Sequence, residues 1–342
     1  MIICGDCLVE MRKMESNSIS CIVTDPPYGL GFMGKAWDVG LPHHEIWGEA
    51  LRVVKPGGFL LAFGGTRTYH RLTCAIEDSG WKIRDCIMYL YGSGFPKSHN
   101  HFGLEGYGTA LKPAYEPIIM AMKPCDGTFK ENAEKWGQAG INIDGCRVAG
   151  KPRTTHKNGN YKGHDQDDAI YNLGFKEHHS ACAEGRWPAN VLCDEEAAKI
   201  LDEQNRNPEN SHSDSGGASR FFYCAKASSR ERNEGCNELE NSFISDGRTA
   251  ISDTPYLRKE TIRKNNHPTV KPLTLMEYLI KLVMPPKDGV LLDPFAGSGS
   301  TILAAHRLGV KALGIEKDTA YCEIARARLE NAKNKPIQET FL

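Results

Sequence analysis

Leu291-Leu292-Asp293-Pro294-Phe295-Ala296-Gly297-Ser298-Gly299-Ser300-Thr301 reads as an apolar strand running into a glycine turn from which a helix begins. Glycines at such a turn let the backbone approach a ligand closely, and the helix start offers unpaired N–H groups to a carboxylate or phosphate. The following strand ends in Gly314-Ile315-Glu316. An acid closing the second strand of a doubly wound sheet is placed to accept hydrogen bonds from the two hydroxyls of a ribose. The third glycine of a dinucleotide fingerprint is missing, so a ligand with one nucleoside and an amino-acid tail fits better than a dinucleotide.

Outward from this turn, the remaining C-terminal residues continue in α/β order. Residues 273–283 form an amphipathic helix, 289–292 a strand, 300–308 a helix, 310–315 a strand and 319–332 a last helix with basic residues near its end, where cations suit the helix dipole. The first 125 residues have the same rhythm, with strands at 19–24, 58–64, 82–91 and 116–122 and helices at 44–53 and 67–78. Between them, residues 127–265 are rich in Asn, Gly, Ser and charged side chains, with core fragments only at 187–193 and 220–225. This stretch reads as a loop-rich insertion in which 150–168 and 241–258 are mobile. The fold class is therefore α/β, a Rossmann-like, doubly wound, mostly parallel sheet with an inserted second domain.

The chain has 342 residues, 40% of them hydrophobic and 25% charged, which places it among globular proteins rather than disordered or fibrous ones. No apolar run approaches the roughly 18–20 residues of a membrane span, and the N-terminus lacks a signal-peptide pattern, so a cytoplasmic setting is expected. Twelve scattered cysteines in such a setting read as reduced thiols. With 42 basic and 43 acidic residues, the net charge of −1 does not itself point to a nucleic acid, but a basic patch, not the sum, decides that. His178, His179, Cys182 and Cys193 lack a matched pair at finger spacing, and Cys4-x-x-Cys7 lies in a turn expected to border the ligand, so no metal is expected.

Thr24-Asp25-Pro26-Pro27-Tyr28-Gly29 follows directly on a strand, at the carboxyl end of the sheet where open α/β folds bind ligands. Two prolines stiffen the turn and hold the Asp25 carboxylate, the Pro26 carbonyl and the Tyr28 ring at fixed mutual positions. Two acceptors and an aromatic face suit a planar ring bearing an amino group: the amine donates and the ring stacks.

In these residues the chain resembles the amino-methylating DNA methyltransferases that use S-adenosylmethionine, which have a circularly permuted class I methyltransferase fold. Asp25-Pro26-Pro27-Tyr28 is similar to their catalytic motif, Asp293 to Thr301 to their cofactor loop and Glu316 to their ribose-binding acid. His267-Pro268-Thr269-Val270-Lys271-Pro272 resembles the segment flanking the methionine end of the cofactor, and Gly5-Asp6-Cys7-Leu8 the turn at its adenine. Ser300-Thr301 stands where the family often has Thr-Thr, which keeps the hydroxyl. The motif order, catalytic before cofactor loop, is similar to the β arrangement of these enzymes. The resemblance implies that residues 1–126 and 266–342 form one catalytic domain, with 1–3 adding a strand beside the last one, and that 127–265 recognise the target. It implies catalytic Asp25, Pro26, Pro27 and Tyr28. Cofactor contacts are implied for Asp6, Cys7, Thr24, Asp25, His267, Thr269, Lys271, Asp293, Phe295, Ala296, Gly297, Ser298, Gly299, Ser300, Thr301, Glu316 and Lys317.

The partner implied is double-stranded DNA, contacted by Lys35, Trp37, Lys97, Ser98, Lys226, Arg230 and Arg232, and the related enzymes are often homodimers. An Asp at the first motif position resembles the N6-adenine enzymes more than the N4-cytosine enzymes, which often have Ser. Methylation at cytosine C5 needs a cysteine nucleophile, and the sole Pro-Cys pair, Pro124-Cys125, has no cofactor loop upstream. RNA or protein-glutamine methylation and a catalytically silent DNA-binding module are the competing readings.

Overall fold

The computed structural model describes residues 1–31, 38–94, 103–149, 185–204, 218–225, 234–236, 242–244, 261–263, 265, 267 and 269–333. Eleven strands and eight helices alternate along them. The strands are β1 Ile2–Cys4, β2 Cys21–Thr24, β3 Phe59–Phe63, β4 Lys82–Leu90, β5 Tyr115–Met122, β6 Val191–Asp194, β7 Tyr223–Ala225, β8 Ser242–Ile244, β9 Thr261–Arg263, β10 Val290–Asp293 and β11 Lys311–Glu316. The helices are α1 Cys7–Arg12, α2 His44–Val53, α3 Tyr69–Asp78, α4 Phe129–Trp136, α5 Glu195–Gln204, α6 Leu273–Val283, α7 Ser300–Arg307 and α8 Thr319–Lys333.

Nine strands form one sheet in the order β1-β11-β10-β2-β3-β5-β4-β6-β7, and only β5 runs antiparallel to its neighbours. The doubly wound, mostly parallel architecture is as the sequence leads one to expect. Successive residues of β2 and β3 point to opposite faces. Cys21, Val23, Phe59, Leu61 and Phe63 pack with α6 and α7, while Ile22, Leu60 and Ala62 pack with α2 and α3. Burial on both faces explains why these strands read as unbroken apolar runs. The N-terminal strand lies beside the last one, with Ile2 opposite Gly314 and Cys4 opposite Glu316.

The order reverses between β10 and β2: β10 leads through α7 to β11 on one side, and β2 through α2 to β3 on the other. A cleft opens outside the carboxyl ends of strands at such a point, so Asp293 and Thr24-Asp25 meet there.

Several features depart from the sequence reading. Helix α6 is not amphipathic in place: Leu273, Leu275, Met276, Tyr278, Leu279, Ile280, Leu282 and Val283 are all buried, so it is covered on nearly every side. Trp187 is 66% exposed and carries the Arg147 guanidinium 5.5 Å above its ring, so it is a surface residue rather than a core fragment. Of the core fragment expected at 220–225, only Tyr223–Ala225 is a strand, and the Tyr223 ring stacks on Tyr278 at 4.0 Å. Within 241–258, expected to be mobile, Ser242–Ile244 pairs antiparallel with Thr261–Arg263; residues 150–168 lie outside the described ones.

Described parts of 127–265 pack on the same nine-stranded sheet. β6 and β7 extend its β4 edge in parallel, and Asp194 accepts from the Gly92 N–H at 3.1 Å and from the Ala197 N–H at 2.7 Å, tying β4 to the start of α5. Helix α4, closed by a Thr128/Glu131 capping box, is anchored by the buried Asn132. Its Nδ2 donates to the Pro56 and Gln138 carbonyls and its Oδ1 accepts from the Asp126 N–H. Asn132→Ala leaves these three backbone groups buried and unpaired, and is expected to cost about 2–3 kcal/mol in urea-denaturation stability. A loss below 0.5 kcal/mol would show that water replaces the amide.

Candidate active site

Thr24, the last residue of β2, donates through Oγ1 to Asp293 Oδ1 at 2.6 Å, and both side chains are almost completely buried. The same Asp293 oxygen accepts the Phe295 N–H at 3.1 Å, and the Thr301 hydroxyl also bonds the carboxylate. One carboxylate thus ties the end of β2, the glycine turn and the start of α7 together. Its burial raises the Asp293 carboxyl to about 6 against the lowering effect of these hydrogen bonds.

The glycine turn is held from two further sides. Glu316, at the end of β11, accepts the Gly297 N–H at 2.8 Å through Oε2 and the Asp318 N–H at 2.7 Å through Oε1. The Lys317 N–H also bonds this carboxylate, which leaves one of its roughly four lone-pair sites for an outside hydroxyl. Beneath the turn, Arg328 of α8 is fully buried and donates through Nη1 to the Ser298 carbonyl at 2.6 Å and its hydroxyl at 3.1 Å. Gly297 has φ +50°, and a Cβ there would lie 2.6 Å from His267 Nε2, so the close approach of the histidine requires glycine. The His267 ring in turn stands edge-on to Tyr321, 4.6 Å between centroids.

On the other side of the switch point, the Tyr28 hydroxyl donates to Asp25 Oδ1 at 2.7 Å and Lys271 Nζ donates to Asp25 Oδ2 at 2.7 Å. Lys271 also lies 3.3 Å from Glu116 Oε2 on β5. Burial works against the Lys271 ammonium, but the Asp25 and Glu116 carboxylates outweigh it and hold the lysine above its usual range. Burial raises the Glu116 carboxyl, opposed by Lys271 and reinforced by Asp25. The loop after the motif is clamped by Asp38, whose carboxylate accepts the N–H groups of Tyr28, Gly29 and Leu30 at 2.7, 2.9 and 3.2 Å.

These groups line one cleft of about 1570 Å³. Ligand pockets usually hold about 300–1,000 Å³, so there is room for two ligand parts. Asp25, Pro26, Pro27 and Tyr28 all face it, as do Asp6, Cys7, His267, Thr269 and Lys271. So do Asp293, Phe295, Ala296, Gly297, Ser298, Ser300, Thr301, Glu316 and Lys317, whereas Thr24 and Gly299 stand behind the lining. Asp6 caps α1 by accepting the Leu8 N–H at 3.1 Å and receives Lys317 at 3.2 Å. Cys7 packs in the core, and Cys4, a free thiol, is hydrogen-bonded to the free thiol of Cys322. The other DNA-contact candidates, Lys35, Trp37, Lys97, Ser98, Lys226, Arg230 and Arg232, lie outside the described residues, as do His178, His179 and Cys182.

A family model described as DNA methylase matches residues 19–327, a span that includes both halves of this cleft and the switch point between them. The chain belongs to the DNA methylase family. Among its relatives, the type II methyltransferase M.HindIII of Haemophilus influenzae is 40% identical over 96% of this chain and 95% of its own length. The DNA adenine methyltransferase YhdJ of Escherichia coli is 24% identical over 99% of this chain and 85% of its own. The solved PvuII DNA methyltransferase (cytosine-N4-specific) has a similar fold, with a TM-score of 0.51 at 16% identity over 96% of this chain and 85% of that one. The methyl donor of this methylase is S-adenosylmethionine. The cleft fits that group: the turn at Gly297 leaves the room a side chain would fill, and the remaining lone pair of the Glu316 carboxylate suits a ribose hydroxyl.

Sequence reasoning missed three residues of this methylase site. Arg328 was read among the cations at the end of α8, but it follows Tyr321, Ile324 and Ala325 at helical spacing, so its place on the buried face was legible. Glu116 opens an otherwise apolar strand, and only the approach of Lys271 from a distant segment gives it a role. Asp38 gave no signal beyond closing a glycine-rich loop.

Because Asp293 holds a proton up to about pH 6 in the folded chain but only to about 3.8 when unfolded, its contribution to stability falls as pH rises through that window. Asp293→Asn removes this dependence. Relative to wild type, the variant is expected to gain about 2–3 kcal/mol between pH 3.5 and 7 in chemical denaturation. A difference that stays flat with pH would show that the carboxyl is not protonated in the fold.

Proposed function

We propose that the protein transfers a methyl group from S-adenosylmethionine to N6 of an adenine flipped out of DNA, with Asp25, Pro26, Pro27 and Tyr28 as the catalytic turn. The observation that carries this is the juxtaposition, in one cleft, of the rigid Asp25-to-Tyr28 turn and the Gly297/Glu316 cradle across the switch point. In this reading the Glu316 carboxylate accepts from the ribose and Asp6, Cys7 and Phe295 border the adenine. His267, Thr269 and the turn of Ala296 to Thr301 flank the methionine end, with Asp293 and Thr24 bracing it. When bound, the donor supplies a methyl group on a sulfonium.

The chain's own groups then orient the target. Tyr28 offers its ring face to the flipped base, whose unpairing costs roughly a few kcal/mol. Asp25 and the Pro26 carbonyl accept hydrogen bonds from the amino group and draw its nitrogen toward tetrahedral geometry, which frees the lone pair for in-line attack. Asp25 is the nearest acceptor for the proton that the methylated nitrogen releases. That proton is strongly acidic, so no base of matched strength is needed.

Asp25 at the first motif position supports adenine, as does the likeness to YhdJ along nearly the whole chain. Cytosine N4 is the second reading, since the amine geometry is the same. Residues 127–265 are proposed as the target-recognising part, with Lys226, Arg230 and Arg232 toward phosphates or base edges, and Lys35, Trp37, Lys97 and Ser98 on the DNA side of the catalytic part. The resemblance alone supports a homodimer and a cytoplasmic setting; among the described residues, no helix is long and apolar enough to cross a membrane.

Incubation with methyl-labelled S-adenosylmethionine and unmethylated DNA, followed by digestion and mass identification of nucleosides, is expected to yield N6-methyldeoxyadenosine. N4-methyldeoxycytidine selects the second reading, and label in RNA or protein alone sinks both. Asp25→Ala is expected to lower transfer at least about 1,000-fold while donor binding, read by calorimetry, weakens by no more than about tenfold. Retained turnover in this variant would remove Asp25 from the reaction.

A further inference from the structure

Glu116 stands in the cleft with no part in the turn, the glycine cradle or the core. Its Oε2 lies 3.3 Å from Lys271 Nζ, which lies 2.7 Å from Asp25 Oδ2 and 3.3 Å from the Tyr28 hydroxyl. The lysine side chain is 9% exposed, those of Asp25 and Glu116 18% and 26%. Above the trio are the Tyr28 and Phe63 rings, 5.6 and 4.8 Å from the ammonium. Tyr89 and Tyr91 are the other titratable neighbours of Glu116.

A buried lysine needs one carboxylate to be paired, and Asp25 alone would make a neutral pair. Two carboxylates share this lysine, so with both ionised the three residues together carry one net negative charge beside the Asp25-to-Tyr28 turn. A like-charge pair of carboxylates is costly unless a cation lies between them, which is where Lys271 sits. The surplus charge then remains uncompensated by any described side chain in contact with the trio. Methyl transfer starts from a cationic sulfonium and leaves a neutral thioether, so a fixed negative charge in a poorly solvated cleft favours the first over the second.

We propose that Glu116 is the charge-setting and positioning residue of this cleft: by sharing Lys271 with Asp25 it leaves one net negative charge that favours the cationic methyl donor over its neutral product, and it holds the lysine that orients Asp25. This rests on the proposed function above and extends it to a side chain outside the motifs. Glu116 acts through Lys271 and the field of the trio, not by touching the transferred group.

The test is the ratio of dissociation constants for S-adenosylmethionine and S-adenosylhomocysteine, measured by calorimetry without DNA. In Glu116→Gln the trio becomes neutral, and the donor is expected to weaken about tenfold relative to the product, whose own affinity stays within about twofold. Lys271→Met combined with Glu116→Gln returns the cleft to one negative charge, on Asp25, and is expected to recover most of the wild-type ratio. If Glu116→Gln does not fold, as judged by its melting curve, Glu116→Leu reads the same ratio. A ratio unchanged in the neutral variant, or donor and product weakening together, overturns the inference. A wild-type protein that binds neither ligand overturns the proposed function instead, whereas one that binds both and methylates DNA, with an unaltered ratio in Glu116→Gln, overturns only the role of Glu116.

Discussion

The hydrogen bond from Thr24 to Asp293 joins the two halves of the molecule where the sheet changes direction. It spans 269 residues of sequence at 2.6 Å and is sealed from water. Strands β2 and β10 are parallel neighbours, so their carboxyl ends lie side by side and their following turns diverge. The cleft is the space between those turns. Without a fixed link at its floor, the Asp25-to-Tyr28 turn and the glycine turn would be separately mobile, whereas a reaction driven by orientation needs rigid relative position.

Around that link the site is built from buried or half-buried polar side chains that reach across to backbone groups of a neighbouring turn or loop. Glu316 reaches back to the Gly297 N–H, Arg328 comes up from α8 to the Ser298 carbonyl, and Asp38 gathers three N–H groups of the loop after Tyr28. Buried polar groups weaken a fold when left unpaired and stiffen it when fully paired. Here they stiffen loops, the part of a protein least constrained by its core. The scaffold beneath is apolar on both faces of β2 and β3, which leaves the loops as the place where charge is concentrated.

Much of this was legible from local pattern. The bounds of α2 and α6 match the expected ones residue for residue, because their apolar spacing and their stops at Pro-Gly or before Pro are strong local signals. The alternation of strands and helices led to the doubly wound sheet, and the Asp25-to-Tyr28 and Asp293-to-Thr301 turns could be read as ligand-facing because each ends a strand. The failures share one cause. Trp187 looked like core because it is large and apolar, and α6 looked half-exposed because its sequence contains Thr, Glu and Lys. Which side of an element is covered depends on what packs there, and residues far apart in sequence decide that.

The sequence by itself determined most elements of the two outer segments, the doubly wound class of their sheet and the two turns that face the cleft, because period, turn chemistry and strand ends are short-range properties of the chain. Only the tertiary structure decided which groups those turns meet. Lys271, facing the cleft, meets Asp25 and Glu116; β6 and β7, from the central segment, lengthen the nine-stranded sheet; and Arg328 closes the glycine turn from below. The physical reason is that hydrogen bonds and ion pairs act over about 3–4 Å, while the residues that make these contacts are separated by tens to hundreds of positions along the chain.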